Sequence, residues 1–330
     1  MKKFIAISLL AFTVLFAGSC ANDLDTNADW KEIMVVYGLL NVNDTDHYVR
    51  VNRAFLSENQ SALEIAKISD SLYFDSLEVT VEEFSGNSMR QSFRLTKFYV
   101  GKDTGIFATE GSYVYTFKQK LDMAYKYRLV IYNKLSKKYT TAETVLIGNP
   151  TLSSPSNFTT NYIIDTAKNL NLSWTAAPNT KLYDLTLRFY WNEYDSASNQ
   201  LLSSDNFIDW PILQGKDVPV SGSMRSNIPG IGFYHFLSEN LTAINGKYRV
   251  PQRFDFMYWA ADKEYYLYRS VNQPSVGLVQ KKPEYTNISS GNYGLFASRN
   301  LYTIKGVSIS QQTVVSLQVN TLTRKLKFRP

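Results

Sequence analysis

"NLNLSWTAAPNTKLYDLTLRFYW", Asn169 to Trp191, decides the fold. Leu170, Leu172 and Trp174 recur at every second position, Pro178-Asn179 marks a turn, and Tyr183, Leu185, Leu187, Phe189 and Trp191 then alternate again. A period of two sends successive side chains to opposite faces of a strand, so the stretch reads as two half-buried strands joined by a turn. The same period returns upstream. "EIMVVYGLL" repeats Ile33, Val35, Tyr37 and Leu39, and "SLEVTVEEF" points Leu77, Val79 and Val81 at a core and Glu78, Thr80 and Glu82 at water. "YVYTF" alternates likewise, and "YKYRLVIYN" sets Tyr125, Tyr127, Leu129 and Ile131 on one side. Aromatics make up 14% of the 330 residues, which suits broad pleated surfaces. The fold class expected is all-β, with two antiparallel β-sandwich modules and one or two short helices.

The first module runs from about 30 to 148. Inside it, "SENQSALEIAKISDSLY" allows a short helix through Leu63, Ile65, Ala66 and Ile68. "GNPTLSSPSNF" has the composition of a linker, and the second module follows over 152–330. A tryptophan late in one strand and a tyrosine early in the next, here Trp174 and Tyr183, resembles the fibronectin type III sandwich of the immunoglobulin-like class. That resemblance implies that the two rings pack together in the core. From 192 to 250 the periodicity fades, and the segment reads as an irregular insertion of short strands and loops suited to binding. Asp262 is placed to cap a helix on which Tyr265, Tyr268 and Arg269 share a face. "QTVVSLQVNTL" returns to turns and strands.

The chain opens with Lys2 and Lys3, an apolar run from Phe4 to Phe16, and the small residues Ala17-Gly18-Ser19 before Cys20. This is the layout of a secretory signal over 1–19, too short for a permanent span. The small residues followed by cysteine resemble the bacterial lipobox, which implies that Cys20 is acylated and becomes the first residue of a lipoprotein on a tether over 20–29. Cys20 is the single cysteine, so acylation also accounts for a thiol that has no disulfide partner. The expected location is the outer membrane, lipid-anchored, facing the periplasm or the cell exterior.

Loss of the signal would remove two lysines from 35 basic residues and no acid from 29, leaving a net charge of +4. With no dense basic block before "TRKLKFRP", nucleic acid is not an expected partner. His47 and His235 stand apart without neighbouring His or Cys, so neither a metal site nor a cofactor is expected. "NVNDTDHY" gathers Asn41, Asn43, Asp44 and Asp46 and reads as a polar hairpin, with calcium as the rival use of its oxygens. Glu82 and Glu83 are adjacent and point to opposite faces of a strand, so they do not form a catalytic pair. No nucleophile elbow or phosphate loop occurs, and no enzyme activity is expected. Candidate binding residues are the aromatics outside the alternation, Trp210, Tyr234, Tyr265 and Tyr266.

The lipoprotein signal, "IMVVYGLL" followed by "DHYVRVNRAFL", and "PEYTNISSGNYGLFASR" resemble a family of uncharacterised Bacteroidetes outer-membrane lipoproteins found beside TonB-dependent transporters. The resemblance implies a non-catalytic binding or accessory module at the cell surface. Its partners would be an outer-membrane transporter or a glycan or peptide ligand. The alternatives are a structural, adhesin-like surface protein and a glycan-active enzyme.

Overall fold

A computed structural model describes residues 33–54, 72–101, 112–272 and 284–330. The signal, Cys20, the tether and the helix expected through Leu63 to Ile68 lie outside the described residues. The fold is an all-β sandwich type.

The first core lies between two layers. One is a four-stranded sheet of β3 (Leu77–Ser85), β4 (Ser88–Arg94), β7 (Lys126–Asn133) and β8 (Lys138–Val145), in the order β4-β3-β7-β8. The other contains β1 (Ile33–Leu40), β2 (Asp46–Ala54), β5 (Thr96–Val100) and β6 (Ser112–Lys118). Val36, Val49 and Val51 from one layer meet Val81, Tyr127, Leu129 and Ile131 from the other. In β1 the buried face is Met34, Val36 and Leu40, while Tyr37 and Leu39 are exposed. Both faces of "IMVVYGLL" are apolar, so alternation alone does not say which one turns inward.

The second core is larger and more aromatic. A three-stranded sheet of β9 (Thr151–Ser154), β11 (Asn169–Thr175) and β14 (Ser223–Pro229) covers β12 (Leu182–Asp195), β13 (Leu201–Asp217) and β15 (Lys247–Ala261). Trp174 is buried and meets Tyr183 and Tyr258 edge-on, each at 5.5 Å between centroids. Three helices complete the described chain: α1 (Ile231–Asn240), α2 (Lys263–Asn272) and α3 (Gln311–Val319).

Two expectations fail here. Residues 192–250 are regular: β13 pairs with β12 from Tyr194↔Leu201 to Leu182↔Asp217, and α1 packs Phe233, Tyr234 and Leu237 into the core. As an edge strand β13 has few buried positions, so its sequence carries little hydrophobic period. "QTVVSLQV" is helical instead of extended. Thr313, Val314 and Leu317 form its buried stripe, and the Ser310 hydroxyl accepts from the Thr313 N–H as an N-cap.

The two bodies share one strand, β16 (Tyr293–Ile309). Its first half pairs with β1 in parallel, from Val35↔Tyr293 to Leu40↔Ser298, and its second half pairs with β15 antiparallel, from Ala261↔Arg299 to Arg253↔Ser308. Phe296 therefore belongs to the first core, and Ile304 and Val307 to the second. The resulting sheet runs β13-β12-β15-β16-β1-β2-β6-β5, with β10 (Asn161–Tyr162) beside the end of β16. The β1–β16 and β10–β16 pairs are parallel, and the other named strand pairs are antiparallel.

Candidate functional site

Asp262 organises the point where β16 passes from one body to the other. Its Oδ1 accepts from the Tyr265 N–H at 2.9 Å, capping α2 as the sequence suggests. Its Oδ2 accepts from Thr144 Oγ1 at 2.7 Å and from the Ser298 N–H at 2.9 Å. Burial raises its pKa, and the three donors oppose that rise. Asp262 thus ties α2 to β8 and β16. Arg269 extends the bracing through Asp184 of β12, at 2.6 Å.

Braced this way, α2 lies over the outer face of the shared sheet with a concave surface on each side. One side is polar and contains Glu143, Lys126, Lys181, Thr144 and Glu264. Every acid in it is already committed. Glu143 is held by Lys126 at 2.9 Å and Arg128 at 2.7 Å, and the Lys126 hydrogen bond is the main cause of its lowered pKa. Glu264 accepts from the Tyr285 hydroxyl, and Asp262 is out of solvent.

The other side is an aromatic groove of about 490 Å³. Its floor is Tyr37, Gly38 and Leu39 of β1 with Leu295 of β16, one wall is Tyr265 and Tyr268 of α2, and the other is Tyr48 with Asp44 and Asp46. Tyr37 and Tyr268 meet edge-on at 6.2 Å with their hydroxyls 3.2 Å apart. The turn that carries Asp44 is fixed from within and from below. Asn41 Nδ2 donates to Asp44 Oδ2 at 2.9 Å, and Asn43 Nδ2 donates to Asn149 and Asn300 at 2.8 and 2.7 Å. Asp46 faces Lys118 across a loose surface contact of 3.8 Å.

The candidate binding aromatics separate. Trp210 and Tyr234 are corrected to core residues. Trp210, 8% exposed, packs against Phe233 and Phe236 at 5.6 and 6.3 Å. Tyr234 is fully buried, donates to the Ile164 carbonyl at 2.8 Å, and has its pKa pushed up to about 12 by burial. Tyr265 does line the groove and takes the Arg299 guanidinium over its ring at 5.4 Å. Tyr266 is on the same helix, half-buried, outside the groove lining. Tyr37 and Tyr48 occupy strand positions that nothing in the local sequence marks for binding. The signal available was that "IMVVYGLL" is apolar at both parities, one more face than a single core needs.

Other groups weighed for chemistry have structural partners. Glu83 is buried and accepts from Tyr127, Arg90 and Gln91 at 2.9, 3.0 and 3.1 Å, while Glu82 turns to Arg128. His47 is buried and His235 exposed on α1. Among the described residues no three His, Cys, Asp or Glu side chains gather closely enough to hold a metal.

DUF4249, a domain of unknown function, matches residues 22–304. The chain belongs to this family. The DUF4249 span contains every groove residue, whereas α3 and the tail that brings Leu326 and Phe328 into the second core lie beyond it. The "GNYGLF" run of this DUF4249 chain has a structural reading. Gly291 and Gly294 adopt positive φ where β16 begins, and Phe296 reaches the first core. Among curated proteins none matches the chain.

Proposed function

We propose that the protein is held at the outer membrane by lipid on Cys20 and works there as a non-catalytic binding or accessory module, with the aromatic groove as its binding surface. The observation that carries this reading is the pair of half-exposed rings on a rigid sheet, Tyr37 at 43% and Tyr48 at 52%, facing a helix braced by Asp262. Flat aromatic surfaces held in place by regular structure lose little entropy on binding, and tyrosine offers an apolar face with a polar tip. The signal layout and the lone cysteine support the anchoring. The resemblance to surface lipoproteins supports a TonB-dependent transporter, or a glycan or peptide it handles, as the partner. Burial of Trp210 and Tyr234 moves the proposed surface away from residues 192–250.

Cells expressing the full chain are fractionated and crosslinked. The parent is expected in the detergent-soluble membrane fraction with discrete crosslinked partners or glycans. Cys20→Ser should leave that fraction, and a Tyr37→Ala, Tyr48→Ala double variant with the parent's thermal midpoint should stay in it and lose the crosslinks. Parent-like partitioning of Cys20→Ser would overturn the anchoring. An unchanged set of crosslinks from the double variant would overturn the groove.

A further inference from the structure

The groove joins apolar walls to a charged end. Among the described residues its lining has two carboxylates, Asp44 and Asp46, and no lysine, arginine or histidine, in a protein whose whole-chain charge is +6. The described cations near it lie outside the lining: Arg299 sits over the Tyr265 ring at 5.4 Å, and Arg50 pairs across from Tyr37. Lys120 Nζ donates to the Val42 carbonyl at 2.6 Å, Arg50 Nε donates to Asn52 at 2.8 Å, and Lys118 stands 3.8 Å from Asp46.

We infer that the groove takes an organic cation: a ligand with an ammonium or guanidinium head beside Asp44 and Asp46 and an apolar body across the rings of Tyr37 and Tyr48. This deepens, and rests on, the reading of the groove as the binding surface. Aromatic faces attract cations through the ring quadrupole, and carboxylates give the head a charge-assisted acceptor. An anionic ligand meets the same two charges as repulsion. The volume of about 490 Å³ is that of a small-molecule site. Tyrosine also suits the apolar body, because the hydroxyls of Tyr37 and Tyr268 are joined to each other while Tyr37 stays exposed. The same chemistry can come from a free amine or from a lysine side chain in a peptide.

The full chain in detergent is titrated by calorimetry with n-hexylammonium, hexanol, hexanoate, maltohexaose and a blocked Ala-Lys-Leu tripeptide. Hexylammonium should bind roughly tenfold more tightly than hexanol and more tightly still than hexanoate. That preference should shrink as NaCl rises from about 50 to about 500 mM. An Asp44→Asn, Asp46→Asn variant should lose the preference and keep the hexanol affinity, and Tyr48→Ala should weaken both ligands. A tripeptide that binds at least as well as the amine assigns the cation to a peptide side chain, and a weaker tripeptide assigns it to a free amine. If hexanol or maltohexaose equals the amine and binding depends on Tyr48, the cation inference falls and the groove survives as a binding surface. If no probe binds, or Tyr48→Ala changes nothing, the inference and the groove reading fall together.

Discussion

His47 lies on the inner side of β2, between the two acids and rings that face the groove. It is 2% exposed, stacks on Phe117 at 4.9 Å and places Nε2 3.0 Å from the Gln119 carbonyl. Burial is the largest influence on its pKa and lowers it; the Gln119 carbonyl, Asp44 and Asp46 pull the other way. The charged ring is therefore disfavoured in the folded protein relative to the unfolded chain. The stability this gives is complete above the unfolded value of about 6.5 and is lost as pH falls through the lower folded value. The thermal midpoint should accordingly decline between about pH 7.5 and about pH 5.5. His47→Gln keeps an amide donor for the Gln119 carbonyl and cannot titrate, so its decline should be shallower. Parallel declines in scanning calorimetry would move the acid sensitivity to other groups.

Among the elements, β16 makes the least forgiving contacts. Gly294 sits at φ +119°, and a Cβ there would fall 1.8 Å from the Val36 carbonyl oxygen of the parallel partner strand. Gly294→Ala combines that overlap with a backbone conformation L-residues avoid, and a cost of about 3 kcal/mol or more is expected. Gly306, at φ +72° in open space, is the control: its Ala variant should cost only about 1 kcal/mol. Equal denaturation midpoints for the two variants would refute the β1–β16 register. No residue pattern announces that pairing, because parallel partners far apart in sequence leave no local signature. Locally coded features were legible. Val79 and Val81, Leu129 and Ile131, and Trp174 all face the cores their alternation indicated, and Asp262 caps its helix. The groove was half legible. Tyr265 stood out beside a cap, but Tyr37 and Tyr48 looked like any strand residue because only tertiary pairing decides which face of β1 turns outward. Trp210 and Tyr234 lie where the hydrophobic period fades, which suggests loops, whereas an edge strand and a short helix carry both rings inward.

At the scale of the whole molecule, the shared strand bears on cooperativity. Separate cores in one chain can melt independently when a linker joins them. Here β16 contributes Phe296 to one core and Ile304 and Val307 to the other, and Asp262 links the Thr144 hydroxyl to the Ser298 amide across the junction. Unfolding the first body strips β1 from β16 and leaves half of a 17-residue strand without a partner on that edge. The two bodies should therefore unfold as one unit. Trp174, Trp191, Trp210 and Trp259 all belong to the second body, so tryptophan fluorescence reports on it once Trp30, outside the described residues, is replaced by Phe. Leu129, 1% exposed in the first core, supplies the perturbation: Leu129→Ala should cost about 2 to 5 kcal/mol. With a shared strand, the fluorescence midpoint should fall by as much as the calorimetric one, although every tryptophan observed lies in the other body. A fluorescence transition left in place while a new one appears below it would mean that β16 does not couple the bodies. The groove built across their junction would then have no rigid floor.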